Sequence, residues 1–206
     1  QSGPMTMGAS QVCGFAKSDP SKETPNLQFH VQPISTDILG ASKLHDFDGI
    51  TPTVANIRPS SRGEISIVSN DSRVNPKIKM NYLSTQDDRI VAAQGLKLVR
   101  KIMLESETLK KYEPEEYRPG VHITDDEELV KAGSEFTQTI FHPVGTCKMG
   151  KDDNAVVNDK LYTHGLKNLR VIDASIMPNI TSGNTNAPTI MIAEKGAEFI
   201  LNNQTK

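Results

Sequence analysis

The chain lacks the cysteines, the long apolar runs and the charge excess that mark several classes of protein. Its 206 residues include two cysteines, Cys13 and Cys147, too few for a disulfide framework or for the roughly four ligands of a zinc site. No run approaches the ~20 apolar residues of a membrane-spanning helix. Lys and Arg number 23 against 25 Asp and Glu, without a basic run. We therefore expect no metal, no transmembrane segment and no nucleic-acid partner.

Two cysteines in a chain of this size are normal for a reducing compartment, so we expect a cytoplasmic location. A peripheral position at the inner membrane is the alternative. The chain opens on Gln1 rather than on methionine, which suggests a piece of a longer protein. Its length is sufficient for a hydrophobic core of its own.

Strand patterns come first along the chain and helix patterns follow. Residues 1–25 show little periodicity and predict a loop, as do positions 38–53. Apolar and β-branched residues predict strands at four segments: 27–32, 53–58, 64–69 and 77–81. Because there is no βαβ alternation, we expect an α+β fold whose antiparallel sheet of about five or six strands is covered by helices on one face.

Two capping boxes predict the starts of helices. Ser84 to Asp87 is a variant box ahead of a long helical pattern, and Thr124 to Glu127 is a full box whose helix is expected to run to about Thr139. Near the end of the chain, positions 168–173 predict a short strand. A last helix, capped by Asn186, follows with an apolar stripe formed by Ile190, Ala193, Ala197, Ile200 and Leu201.

His142 is the first candidate for a chemical role, because it precedes Pro143 and lies close to Gly145 on what is expected to be a stiff turn. Histidine titrates near neutral pH and is the commonest general base. The alternative is a half-buried histidine whose ring is satisfied by a backbone carbonyl.

Asn184, Asn186 and Asp173 also stand at special places, before a helix and after a strand. Each can be a helix cap or a turn residue, and a helix N-terminus can also hold an anionic group. Cys147 can be a nucleophile near His142, although a small buried thiol is the default interpretation. The chain contains neither a Gly-x-Ser-x-Gly elbow nor a Gly-x-Gly-x-x-Gly phosphate loop.

Three ordered clusters together resemble the C-terminal signature of the glucose–methanol–choline (GMC) oxidoreductases, which are FAD-dependent. They are His142-Pro-Val-Gly-Thr-Cys-Lys-Met-Gly150, Asn168-Leu-Arg-Val-Ile-Asp-Ala-Ser-Ile-Met-Pro178 and Gly183-Asn-Thr-Asn-Ala-Pro-Thr-Ile-Met-Ile-Ala-Glu194. Segments 58–63 and 81–84 resemble the family's substrate domain. The Gly183 cluster is most similar to choline dehydrogenases and bacterial aliphatic alcohol dehydrogenases.

The resemblance implies roles for seven residues. His142 would accept the proton of the alcohol substrate, and Asn184 would hydrogen-bond the alcohol oxygen. The residues implied to contact FAD are Asp173, Ala174, Asn186, Ala187 and Thr189. The implied reaction is hydride transfer from a primary alcohol, such as choline or an aliphatic alcohol, to flavin N5.

The family's N-terminal FAD-binding domain has no counterpart in the chain, and this sets our expectation for the domains. Residues 1–165 would form the substrate-binding domain, and residues 166–206 would supply a closing strand and helix that complete the FAD domain. We expect the chain to be inactive by itself. We also expect residues 187–201 to fold back on the sheet or to bury against a second copy, giving a homodimer.

Two other functions remain open from the residues. The chain can be a stand-alone binding or regulatory module descended from such an enzyme. It can also be a hydrolase that uses Cys147 and His142, although an oxyanion donor and an acid partner are then missing from the sequence.

Overall fold

The computed structural model describes residues 8, 10–38 and 43–204. The expected loops at 1–25 and 38–53 therefore lie partly outside the described residues. The elements are β1 (Val12–Ala16), β2 (Leu27–Gln32), β3 (Thr51–Asn56), β4 (Glu64–Ser66), β5 (Lys77–Lys79), α1 (Gln86–Glu105), α2 (Glu107–Lys110), α3 (Asp126–Ser134), a 3-10 helix (Ala174–Ile176) and α4 (Asn186–Gln204). The α+β class is confirmed, and all named strand pairs are antiparallel.

The chain divides into two compact units. The first comprises residues 1–61 and 83–140, and the second comprises residues 62–82 and 141–206. The strands do not form one sheet as expected. Strands β1, β2 and β3 form a three-stranded sheet in the first unit, and β4 and β5 form a two-stranded sheet in the second.

The three-stranded sheet of the first unit is covered by α1 on one face. Leu27 on β2 and Val91 on α1 are each 1% exposed and belong to the core of this unit. Gly95 lets the helix come close, since a Cβ added there would lie 3.2 Å from Val54 and 3.4 Å from Leu27. Helix α3 packs in turn on α1, where Gly133 faces Leu96.

Strand β1 lies in the segment that we expected to be a loop. Its side chains are mostly exposed, and apolar and polar residues do not alternate along its sequence. The strand exists because β2 pairs with it along its full length, from Val12 opposite Val31 to Ala16 opposite Leu27. Tertiary pairing here outweighs a weak local pattern.

Both predicted helix caps are displaced by one residue. Thr85, not Ser84, caps α1 and accepts a hydrogen bond from the backbone N–H of Asp88. Asp125, not Thr124, caps α3, because its carboxylate accepts from the N–H groups of the two residues Glu127 and Glu128. Helix α3 ends at Ser134 rather than near residue 139.

The second unit packs around a small apolar core. Its fully buried members are Val157, Leu161, Ile176, Met177 and Ile192. The strand expected at 168–173 is reduced to an isolated bridge between Tyr162 and Arg170. A strand extends only where a neighbour pairs with it, and in the described part of the chain that pairing stops after one bridge.

Helix α4 has an inner and an outer face. Ile192 and Gly196 are buried on the inner face, where a Cβ on Gly196 would lie 2.4 Å from Ile172. The predicted apolar stripe forms the outer face and is exposed, with Ile190 55% and Leu201 64% accessible. In this unit the stripe therefore remains an uncovered apolar surface.

A buried carboxylate joins α1 to the turn after β3. Asp88 is 3% exposed, and its two oxygens accept hydrogen bonds from the backbone N–H groups of Ser60 and Ser61, each at 2.9 Å. Asn56 donates to it as well, at 3.2 Å. Burial by itself raises the pKa of Asp88, but the hydrogen bonds from Ser61 and Ser60 outweigh it and hold the pKa below its ordinary value.

We predict that Asp88→Asn lowers the free energy of unfolding by about 2 kcal/mol at pH 7, because one carboxylate acceptor of a buried N–H is lost. The folded-state pKa lies below the unfolded value of about 3.9, so the carboxylate stabilises the fold fully above that value. This contribution is lost as the pH falls through the folded pKa. Urea unfolding between pH 7 and pH 3 should show the two proteins converging on acidification.

The matched control is Asp87→Asn, one position earlier. The Asp87 side chain is 56% exposed and pairs with Lys22 at 3.5 Å. An exposed pair contributes at most about 1 kcal/mol, so the control should change stability less at pH 7. Equal losses from both variants would contradict the assignment of Asp88 as the anchor.

Candidate active site

The turn that carries His142 is fixed by the residues that follow it. Gly145 has a φ of +89°, which favours glycine, and a Cβ there would lie 3.3 Å from the carbonyl oxygen of Met177. The N–H of Cys147 donates to the carbonyl of Ser175 at 3.0 Å, and the N–H of Met149 donates to that of Ile176 at 2.8 Å. The turn is thus joined by its backbone to the 3-10 helix.

Phe141, directly before the histidine, has a φ of +64° and a side chain that is 76% exposed. A bulky residue in the left-handed region costs free energy, so the surrounding structure must impose this conformation. Such strain clusters at functional sites. Nothing in the sequence indicates this strain, because Phe141 looks like an ordinary apolar residue.

The side chains of His142 and Asn184 are in contact. The side-chain nitrogen Nδ2 of Asn184 lies 3.3 Å from Nε2 of half-buried His142. An amide nitrogen can only donate, so this orientation of Asn184 matches the tautomer in which Nε2 is the unprotonated ring nitrogen. That is the protonation state a general base needs before it accepts a proton.

Asp173 and Ala174 lie at the start of the 3-10 helix. The exposed carboxylate of Asp173 caps that helix by accepting a hydrogen bond from the N–H of Ser175 at 2.7 Å. The capping role that we considered for Asp173 is therefore present, and Ala174 is the first residue of the helix. Neither observation tests a contact with a cofactor.

Asn186, Ala187 and Thr189 form the first turn of α4. Asn186 is the first helical residue rather than the cap, and it follows Thr185, whose carbonyl accepts from the N–H of Thr189 at 3.0 Å. The hydroxyl of Thr189 donates to the same carbonyl at 2.6 Å. Asn186 and Ala187 are exposed, and their N–H groups have no acceptor within the helix.

The N–H groups at the start of α4 fit the part of a flavin ring that carries negative charge when the ring is reduced. The N-terminal N–H groups of a 19-residue helix offer positive potential to negative charge, and the helix begins two residues after Asn184. All seven residues singled out in the sequence analysis lie in the second unit. Of these seven residues, His142 and Asn184 are joined by a side-chain contact.

A contact near this site was missed by sequence reasoning. Nη2 of Arg62 donates to Oδ1 of Asn179 at 2.5 Å, across 117 positions of sequence. Among the described residues, no group of three or more His, Cys, Asp or Glu side chains could hold a metal ion. No helix in the described ranges is long and apolar enough to cross a bilayer.

Comparison with known proteins gives relatives over nearly the whole chain. It is 43% identical to an alcohol dehydrogenase [acceptor] of Pseudomonas putida over 97% of its own length and 36% of the relative. It is 41% identical to an oxygen-dependent choline dehydrogenase of Pseudomonas fluorescens over 93% of its length and 33% of the relative. The chain thus spans about a third of these curated relatives.

Solved structures give the same fold. A pyridoxine 4-oxidase from Mesorbium loti superposes with a TM-score of 0.81 and 28% identity, over 92% of this chain and 37% of the other. A formate oxidase from Aspergillus oryzae gives 0.78 and 26%, over 89% and 32%. The family model described as GMC oxidoreductase matches residues 59–193, which include the His142 turn and the first turns of α4. The chain belongs to the GMC oxidoreductase family.

Proposed function

We propose that the chain is the C-terminal, base-carrying part of an FAD-dependent alcohol dehydrogenase. The whole enzyme would move a hydride from a primary alcohol, such as choline or an aliphatic alcohol, to flavin N5. The observation that carries the proposal is the 3.3 Å contact between His142 Nε2 and the amide of Asn184. The alcohol and choline dehydrogenases among the relatives support the substrate class.

In this reaction His142 acts as the general base. Its unprotonated Nε2 takes the hydroxyl proton, which raises the electron density on the carbon that loses the hydride. Asn184 holds the alcohol oxygen beside that nitrogen through its amide. A neutral amide also avoids the second positive charge that another histidine would bring beside the protonated base.

The first turn of α4 and the start of the 3-10 helix are the proposed cofactor contacts. The residues are Asp173, Ala174, Asn186, Ala187 and Thr189. FAD, when bound, supplies the hydride acceptor. The N–H groups of Asn186 and Ala187 stabilise negative charge at that end of the site, because they lie at the positive end of the helix dipole.

The domain assignment expected from the sequence is also part of this proposal. Residues 1–165 serve the substrate side, and residues 166–206 complete the FAD domain, whose N-terminal part lies outside this chain. The chain corresponds to about a third of the relatives' length. This supports the proposal that its site is incomplete and that it is inactive by itself. The low cysteine content supports a cytoplasmic location, with peripheral membrane association as the alternative.

The competing functions differ in their support. The hydrolase based on Cys147 and His142 has no support from the family to which the chain belongs. The stand-alone module keeps the same fold, and the gene distinguishes it from the enzyme fragment, because an upstream reading frame with a Gly-x-Gly-x-x-Gly motif is expected only for the fragment.

We predict that His142→Gln in the full-length enzyme lowers kcat by about 10²- to 10⁴-fold, because the amide keeps a hydrogen bond but cannot accept the proton. The measurement is steady-state oxidation of a primary alcohol with an artificial electron acceptor, normalised to bound flavin. The control is His164→Gln, an exposed histidine of the same unit whose ring contacts the carbonyl of Gly150 at 3.2 Å. Equal rates for His142→Gln and wild type would contradict the base assignment.

We predict that the purified 206-residue chain oxidises no alcohol and gains no flavin absorbance after incubation with FAD. The reason is that only one side of the proposed site is present. Absorbance between 350 and 500 nm after desalting, followed by an alcohol panel, measures both properties. Alcohol-dependent bleaching of a bound flavin would show that the chain is complete enough to act alone.

We predict that the isolated chain dimerises through the outer face of α4, because an uncovered apolar stripe favours burial against a second copy. The double variant Ile190→Glu and Leu201→Glu should give a monomer in sedimentation velocity, since both side chains are more than half exposed. A variant at exposed Lys195, Lys195→Glu, should leave the dimer intact. A wild-type chain that stays monomeric at high concentration would contradict this proposal.

A further inference from the structure

The turn that presents Asn184, residues 178–184, is anchored at both ends in the second unit. Met177 before it is 5% exposed, and Thr185 after it is 7% exposed. Between these anchors the turn is more open, with Asn179 and Asn184 both exposed. Ser182 within it has a φ of +61°, a conformation that is unfavourable for a residue other than glycine. The turn therefore needs contacts that hold this conformation.

One such contact comes from the distant residue Arg62, at the start of the segment that leads into β4. Its Nη2 donates to Oδ1 of Asn179 at 2.5 Å. The two residues belong to the same compact unit although 117 positions separate them. A hydrogen bond from a charged donor is roughly twice as strong as one between neutral groups.

The backbone of Arg62 is itself held in place. The side chain of Asn81 donates to the carbonyl of Arg62 at 2.9 Å, and Asn81 has a φ of +56°. The next residue, Gly63, lies so close to β5 that a Cβ would come within 2.3 Å of the carbonyl oxygen of Lys79. The backbone of Arg62 is thus held on the hairpin of β4 and β5, so its guanidinium can hold Asn179 in a fixed position.

We propose that Arg62 is a positioning residue: through Asn179 it fixes the 178–184 turn, so that the amide of Asn184 stays at Nε2 of His142. Its part in catalysis rests on the function proposed above. Its geometric part, the separation of Asn184 from His142, can be measured without any flavin or substrate. In this mechanism Arg62 acts through Asn179 and Asn184.

The chemistry of the side chain matters for this role. A guanidinium presents its donors in a rigid planar fork, whereas a lysine ammonium is a compact charge on a flexible stem. Arg62→Lys therefore keeps the charge but holds the turn less firmly, and Arg62→Gln removes both charge and reach. Asn179→Ala removes the same contact from the other side and leaves the arginine and its charge in place.

The first measurement uses the chain itself. In Arg62→Gln and Asn179→Ala, NMR should show a changed ¹⁵N shift of His142 Nε2 and a loss of the cross-peaks between the Asn184 amide and the imidazole. Arg62→Lys should give intermediate values. The matched control is Arg73→Gln, an 88% exposed arginine of the same unit that pairs with Asp71 at 2.7 Å. It should leave these signals as in the wild type.

The second measurement uses the full-length holoenzyme with a primary alcohol and an artificial acceptor. Arg62→Gln should lower kcat about 10-fold with a change in KM below about 3-fold, because a displaced hydrogen-bond partner weakens alignment in the transition state. Asn179→Ala should give a similar loss, and the double variant should lose no more than either alone, since one contact is removed in all three.

The outcomes separate the two proposals. Unchanged NMR signals, or additive losses in the double variant, overturn the role of Arg62. If His142→Gln leaves the rate unchanged, the proposed function fails, while the NMR signals still decide whether Arg62 positions Asn184. If Arg62→Gln does not fold, Asn179→Ala carries the test, because an exposed asparagine is removed without touching the hairpin.

Discussion

The site of the second unit depends on the backbone pairing between the 145–149 turn and the 3-10 helix. The hydrogen bonds from Cys147 to Ser175 and from Met149 to Ile176 join two segments that are distant in the sequence. His142 leads into the first segment, and Asn184 follows the second. These bonds run between backbone groups, and the turn that makes them depends on glycine at position 145. The buried side chains of Ile176 and Met177 belong to the apolar core of the same unit.

Buried charge is used for structure in the first unit. Asp88 ties α1 to the turn after β3, and Arg100 makes an ion pair with Glu116 while also donating to the carbonyls of Gly120 and Ile123. Both side chains have hydrogen-bond partners from the backbone and from other side chains, which offsets the cost of burying them. The pKa of Arg100 is raised by its hydrogen bond to Glu116, so the guanidinium remains charged in the fold.

The sequence allowed the α+β class and four of the five described strands to be predicted, and it singled out His142 and Asn184 as a pair of candidate residues. The pair was accessible because three separate motifs occur in a fixed order, and each motif includes residues that packing alone does not require. Strand β1 was not accessible, since its exposed side chains give no alternation and its existence depends on β2. Arg62 was missed for a related reason: a contact across 117 positions leaves no periodicity in the local sequence. The single bridge at Arg170 shows the reverse error, where strand propensity was present without a partner to extend it.

Helix α4 combines two tasks in one rigid element. Its first turn follows Asn184 directly, and its inner face is locked to Ile172 by the absence of a side chain at Gly196. Its outer apolar stripe is exposed, so a protein that covered this helix would contact the stripe. Because the helix is one rigid element, a partner that shifted the outer stripe would also shift the residues at its N-terminus, next to Asn184.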